Sequence, residues 1–300
     1  MKVRGVNNRG SILVAVLFLA AVMGVLVAVA TMSLQAGTDA SRSFAESLRA
    51  EEAMRAAIEQ IGALSGTTGP PRPGGTIVAL GETNVEVRFY DEIARIDLNH
   101  APVDLLAGIF RVVGVGPTEA RQYAARTIDW RDSDDQLSEE GGAERTAYRA
   151  AGRIDGPRNA PFQHVAELSL VLGIPRRVAA AVAPYVTVAS GSEMVNPLLA
   201  DPPVLMAIPG LKEDQVRSFV DDRVHRNLAP KDLIARLGPV EDYVTDQTSK
   251  AVRYEGRVRF GGRNDRRFEV VVTTLPGDTE PYRILAWDAN PPERMRQLPQ

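Results

Sequence analysis

The chain has 300 residues, 44% of them hydrophobic and 24% charged, enough apolar material for roughly two packed domains of about 150 residues each. It contains no cysteine, which excludes disulfides, thiolate nucleophiles and cysteine-held metals. A formal net charge of −3 argues against nucleic-acid binding driven by phosphate neutralisation.

The N-terminus carries Lys2, Arg4 and Arg9, then Gly10, then a run from Ser11 to Leu34 with no charged side chain. At about 1.5 Å per residue such a run crosses a bilayer core of roughly 30 Å, which predicts a transmembrane helix over 11–34. Asp39 is the first charge beyond it, so the basic flank stays in the cytoplasm and the rest of the chain is exported. A secretory signal has an apolar core of only about 7–15 residues with its cleavage site after it. Ala28-Val29-Ala30 offers such a site, and an uncut signal anchor is a further alternative.

Phe44, Leu48, Met54, Ile58 and Ile61 recur at near-helical spacing among charged residues, with no proline before Pro70. One helix over 11–65 follows, apolar first and amphipathic after, ended by the Gly/Pro-rich stretch from Gly66 to Gly75. Thr76–Leu80 and Val85–Tyr90 then read as strands around the turn Gly81-Glu82-Thr83-Asn84. Ala251–Phe260, Arg267–Leu275 and Tyr282–Trp287 read as three more, with Gly261-Gly262 turning the first pair. The pieces 66–90 and 249–289 are expected to form one antiparallel sheet on the long helix, and the tail 290–300 reads as disordered.

Between them, 91–248 reads as short helices in three divergent helix–hairpin–helix units. The first has Asn99 as cap, Pro102 in the first turn, a hairpin at Gly114-Val115-Gly116 and a helix over Ala120–Trp130. The second runs from Asn159 through a helix over His164–Leu172, Gly173-Ile174-Pro175 and Arg176–Ala183. The third begins near Asn196, turns at Pro209-Gly210-Leu211 and continues as Glu213–Arg223. The fold class is therefore α+β: a long N-terminal transmembrane helix on an antiparallel sheet, with a large inserted α-helical domain. In DNA-binding modules a glycine hairpin of this kind holds a phosphate on backbone amides. Here Asp91–Ser190 holds eleven arginines against fourteen acids, which favours a plain packing turn.

The acidic run from Asp129 through Asp132, Asp134 and Asp135 to Glu139 and Glu144 is the best metal candidate. Calcium takes six to eight oxygens. Asp132 and Asp134 alternate along a loop, and Gly141-Gly142 lets the chain fold back to bring Glu144 to the same ion. It is no EF-hand, because Leu137 stands where that loop needs glycine. The competing reading is a solvated acidic loop. His100, His164 and His225 are scattered as capping or surface residues, Trp130 and Tyr185 read as core aromatics, and no nucleophile–base set or phosphate loop is present, so no enzyme is expected.

A short basic leader, a glycine and then a long apolar helix resembles the type IV pilin and pseudopilin family. The resemblance implies cleavage between Gly10 and Ser11 by a prepilin peptidase, and methylation of the new N-terminus. Most members carry a glutamate five residues after the cut, where this chain has Ala15. That carboxylate is costly in lipid unless paired with a neighbour's terminal amine, so its absence suits a subunit at the filament end. Within the family the chain resembles the K-type minor pseudopilin of type II secretion (general secretion pathway protein K) over nearly its full length.

That resemblance implies a single-pass protein of the bacterial inner membrane with a periplasmic head. Its implied partners are the I- and J-type minor pseudopilins, the major pseudopilin, the prepilin peptidase and the inner-membrane assembly platform, with no nucleic acid. It also implies calcium in the helical domain, matched first to Asp132, Asp134 and Glu144 and then to Asp129, Asp135 and Glu139. The implied role is a tip complex that initiates and caps the pseudopilus during export of folded proteins. A membrane-anchored helix–hairpin–helix DNA receptor and a minor type IV pilin are the alternatives.

Overall fold

A computed structural model describes residues 9–68, 71, 73–81, 83–226, 228–260, 264–275, 280, 282–289 and 291. Most of the leader, the Gly261-Gly262 turn, Glu82 and the tail beyond Pro291 lie outside the described residues. The chain divides into two units, 1–53 and 54–300.

The first unit is helical throughout its described part. Helix α1 (Arg9–Thr68) is longer than the sequence pattern suggests at both ends, because no proline or unfavourable backbone position interrupts it. Leu13–Ser33 has a mean hydropathy of 3.0, is long and apolar enough to cross a membrane, and has none of its residues buried. Phe44 and Leu48 are exposed as well, so the buried apolar stripe is shorter than expected and begins at Ala50.

The second unit opens with the last turns of α1. Met54, Ile58 and Ile61 are buried there. Strands β1 (Gly74–Leu80) and β2 (Thr83–Asp91) form a hairpin in which each strand starts two residues earlier than the pattern indicates and β2 ends one later. A 3-10 turn over Glu92–Ala94 leads to β3 (Ile96–Asp97). Helices α2 (Val103–Val112), α3 (Pro117–Arg131) and α4 (Arg145–Ala150) follow, then a 3-10 helix over Val165–Leu170. Next come α5 (Arg176–Val182), β4 (Val186–Thr187), α6 (Pro202–Ala207), α7 (Glu213–His225) and α8 (Pro230–Ala235). Strands β5 (Ala251–Phe260), β6 (Asn264–Thr274) and β7 (Tyr282–Asp288) complete the unit.

The main sheet is antiparallel in the order β1-β2-β5-β6-β7. Alternation sets its buried face. Val85 pairs with Val258, Phe89 with Tyr254 and Tyr254 with Val270, and all five are buried. Phe89 and Tyr254 meet edge-on at 5.2 Å. Helix α1 lies close to this face: a Cβ at Gly256 of β5 would strike the Met54 side chain, so a residue with no side chain is what lets helix and strand approach. Arg55 stacks over Trp287 at 4.7 Å.

The helical block starts and ends on neighbouring strands, since Asp91 of β2 is paired with Val252 of β5. Asp91 ties the two junctions together. Its carboxylate accepts from the Ile93 amide at 3.0 Å and from the Ser249 amide at 3.0 and 3.2 Å. Burial holds its pKa above the ordinary aspartate value. Beside it lies a buried charge cluster. The Glu92 carboxylate takes a hydrogen bond from the Thr187 hydroxyl and faces Arg253 at 3.5 Å, and Arg253 faces Glu269 at 3.7 Å. Arg253 and Glu92 are each 1% exposed.

Two expectations for the block need correction. Asn99 does not cap α2: Pro102 holds that position without a side-chain bond, one place earlier than the first turn assigned to it. Asn99 instead accepts from the Phe162 amide at 2.6 Å and donates to the Phe162 carbonyl at 3.0 Å, a tertiary use that competes with capping. The segment expected as a helix over His164–Leu172 is a 3-10 helix, started by His164 accepting from Ala166 and stopped before Gly173-Ile174-Pro175. The three hairpin glycines Gly114, Gly173 and Gly210 all have positive φ, at 90°, 81° and 85°. The small parallel pair β3–β4, Ile96 with Val186 and Asp97 with Thr187, had no visible sequence signal.

Apolar side chains from α2, α3, α5, α6, α7 and α8 share one core. At its centre α2 and α6 approach so closely that a Cβ at Gly108 would collide with the backbone of Ala207. Gly108→Ala should therefore destabilise the protein by about 1–3 kcal/mol through overpacking, despite alanine's better helix propensity. A thermal melt checks this, and an unchanged or raised midpoint would contradict the packing.

A candidate metal centre at the end of helix α3

Helix α3 stops at Arg131, where Asp132 takes an extended conformation and closes the helix through its amide to the Ile128 carbonyl at 3.0 Å. The loop beyond it is pinned from inside by Asp129, which is fully buried. One Asp129 oxygen accepts from the Ser138 amide at 3.0 Å, the other from the Ala143 amide at 2.6 Å. Both limbs of the loop are thus held by one carboxylate. The turn between them uses positive φ at Glu140 (64°) and Gly141 (97°), and the Gly142 amide bonds the Ser138 carbonyl at 3.2 Å. Gly142 has no room for a Cβ beside the Asp129 carboxylate. Arg126 fastens the turn from outside, donating to the Gly141 carbonyl and the Leu172 carbonyl at 3.1 Å each.

This fold-back delivers Glu144 to the first residue of the loop. One carboxylate oxygen from each of Asp132, Asp134 and Glu144 lies within 4.8 Å of the others. Two ligands on opposite sides of a calcium ion, each at 2.3–2.6 Å, are about 5 Å apart, so the triad has the right span for that ion. Three carboxylates suit a hard, oxygen-seeking cation.

Glu144 is 5% exposed, and neither of its oxygens has a well-formed hydrogen bond, the Arg145 amide making only a weak approach; buried Asp132 Oδ1 likewise lacks a well-formed one. Asp134 is exposed and one of its oxygens accepts from the Gln136 amide at 2.8 Å. Burial, reinforced by Asp129, Asp132 and Asp135, pushes the Glu144 pKa up to about 7. Burial, then Asp129 and Asp134, also raises Asp132. Buried carboxylates without donors are unfavourable unless a proton or a cation joins them. The residues present fit a calcium ion on those grounds.

The other acidic candidates take different places. Asp129 has both oxygens committed to loop amides and orients the ligands without joining them. Asp135 is exposed and faces the Asn159 amide nitrogen at 3.4 Å, and Glu139 is exposed outside the triad. Sequence reasoning passed over Asn159, whose side-chain nitrogen donates to the Asp134 carbonyl at 3.1 Å. Trp130, 6% exposed, packs beneath the loop with its ring 5.9 Å from Phe162 and 6.3 Å from Tyr148. Tyr185 is half-buried against the core of the block. Of the histidines, His100 faces Asp97 at 3.3 Å and His225 faces Asp221 at 3.0 Å, each close in sequence to its partner. Gly10 and Ser11 lie in the first turn of α1.

Residues 90–191 match the family described as type II secretion system (T2SS), protein K. This span contains the whole loop and all six acidic candidates. No curated protein matches the chain. Among solved structures, the chain is similar to one in the crystal structure of the GspK-GspI-GspJ complex from the enterotoxigenic Escherichia coli Type 2 Secretion System. The TM-score is 0.59 at 15% identity, covering 85% of this chain and 99% of that chain, a likeness of fold.

Proposed function

We infer that this chain, which carries the protein K domain of type II secretion over residues 90–191, is a minor pseudopilin of such a system that works at the pseudopilus tip. The observation that carries the reading is the joint one: the matched domain sits inside a fold that follows the solved relative over 99% of its length. The I- and J-type minor pseudopilins are the proposed partners, by analogy with the complex in which that relative was solved.

The physics of assembly lies in the first unit. Leu13–Ser33 crosses the inner membrane with the basic end inside, which leaves the second unit in the periplasm. A helix already satisfies its own backbone, so it can move from lipid to a bundle of neighbouring helices at little cost. Exposed Phe44 and Leu48 extend the apolar surface for those neighbours. Ala15 offers no carboxylate to a neighbour's terminal amine, which suits a subunit that starts a filament. A minor pseudopilin at the tip would start the filament and cap its growth. Calcium on Asp132, Asp134 and Glu144 would hold the long loop after α3 in one shape.

Co-expression with the I- and J-type subunits tests the reading: all three should purify together, and failure to recover any complex would reject the tip assignment. Processing gives a separate check. N-terminal sequencing should find methylated Ser11, and Gly10→Val should leave Met1 in place by blocking the peptidase.

A further inference from the structure

We infer that Asn159 supplies a neutral oxygen ligand to the cation held by Asp132, Asp134 and Glu144. The inference rests on the calcium reading above. Three carboxylates alone fall short of the six to eight oxygens calcium takes, and amide oxygens are among its usual ligands. Asn159 comes from beyond α4 and bonds the same loop. Its side-chain nitrogen donates to the main-chain oxygen of Asp134, itself one of the three, at 3.1 Å and approaches Asp135 Oδ1 at 3.4 Å. Those two acceptors fix the amide's orientation, because the opposite rotamer would set oxygen against oxygen. The Asn159 oxygen is thereby turned away from them. It is buried and has no hydrogen-bond donor.

Asp132 Oδ1 and both oxygens of Glu144 are likewise buried and lack a well-formed hydrogen bond. Among the described residues, four buried side-chain oxygens without well-formed hydrogen bonds thus belong to this loop and to the asparagine bonded to it. Acceptors alone cannot satisfy one another, whereas a cation satisfies all four at once. The backbone at Asn159 adds a further mark. Its φ of 49° lies in the left-handed region, which a non-glycine residue adopts at a cost and asparagine most readily. A glycine would be easier there by backbone alone, so the side chain has a use.

Two substitutions separate a ligand from a mere clamp. Asn159→Gly keeps the backbone conformation and removes the oxygen. Asn159→Asp keeps an oxygen but cannot donate to the Asp134 carbonyl. The full chain in detergent is titrated with calcium by calorimetry and, separately, loaded with terbium as a luminescent stand-in. Terbium decay rates in light and heavy water count the waters on the ion.

Asn159→Gly should weaken calcium binding about tenfold, at the low end of losses typical of altered metal shells, and admit one additional water to terbium. Asn159→Asp should bind calcium at least as tightly as the parent. Wild-type affinity and hydration in Asn159→Gly would overturn the inference and leave the calcium reading standing. So would equal losses in the two variants, since a clamp that acts through its N–H fails in both. A parent chain that takes up neither ion would overturn both readings together.

Discussion

Chelating calcium from the intact protein should lower its melting midpoint by about 5–10 °C. An ion present at a hundred times its dissociation constant stabilises the folded state by about 2.7 kcal/mol, and a fold of this size shifts by about 2–4 °C per kcal/mol. Glu144→Gln should abolish the calcium-dependent part while leaving the metal-free midpoint equal or higher, because the buried charge it removes has no partner without the ion. Midpoints that ignore both calcium and chelator would eliminate the site.

The site also predicts a pH dependence. The folded-state pKa of Glu144 is about 7, above its unfolded value, so the folded state holds the proton more tightly. Without metal, the contribution of this group to stability is fullest below the unfolded pKa, near 4.5, and is lost as pH rises toward 7. With metal the sign reverses, because the ion binds the deprotonated carboxylate. Calcium affinity should therefore fall about fivefold between pH 7 and pH 6 on the single-proton linkage, and level off above pH 8. Calorimetry in buffers of different ionisation enthalpy would detect the released proton near pH 6.5. An affinity constant across this range would mean that Glu144 is not a ligand.

The second large effect concerns Arg253. Its replacement by alanine leaves the buried Glu92 carboxylate with the Thr187 hydroxyl but without its cationic partner, and breaking a buried pair in this way costs about 3–5 kcal/mol. Arg253 also stacks on Tyr90 at 5.5 Å and faces Glu269 at 3.7 Å, so one substitution loosens β2, β5 and β6 together. Urea unfolding followed by near-ultraviolet circular dichroism should show the loss in the midpoint. The paired change Arg253→Met with Glu92→Gln removes both charges and should recover much of it. A single alanine variant as stable as the parent would show that the network contributes little to folding.

The sequence displayed the parts of this fold whose signals are periodic. Alternating Val85, Val87 and Phe89, and later Phe268, Val270 and Val272, marked two strands of the sheet. Absence of proline carried α1 through to the Gly/Pro-rich stretch. What it hid depends on distant partners. A two-residue strand such as Ile96–Asp97 has no period to detect, and its partner lies ninety residues away in β4. Asn99 had the look of a cap because capping is local, but its bonds go to Phe162. At the candidate site, carboxylate spacing brought out Asp132, Asp134 and Glu144. It could not show that Asp129 is consumed by the Ser138 and Ala143 amides, nor that a neutral asparagine from beyond α4 reaches the same loop.

The single register pair between Asp91 and Val252 has a consequence for how such a molecule is built. Residues paired across antiparallel strands sit about 5 Å apart, a gap that two turn residues can bridge. Everything from Glu92 to Lys250 therefore enters and leaves by one doorway, and the sheet would keep its strand order if that doorway were closed by an ordinary hairpin. The helical block is a cassette, free to grow, shrink or change its surface while the strands keep their own pairing.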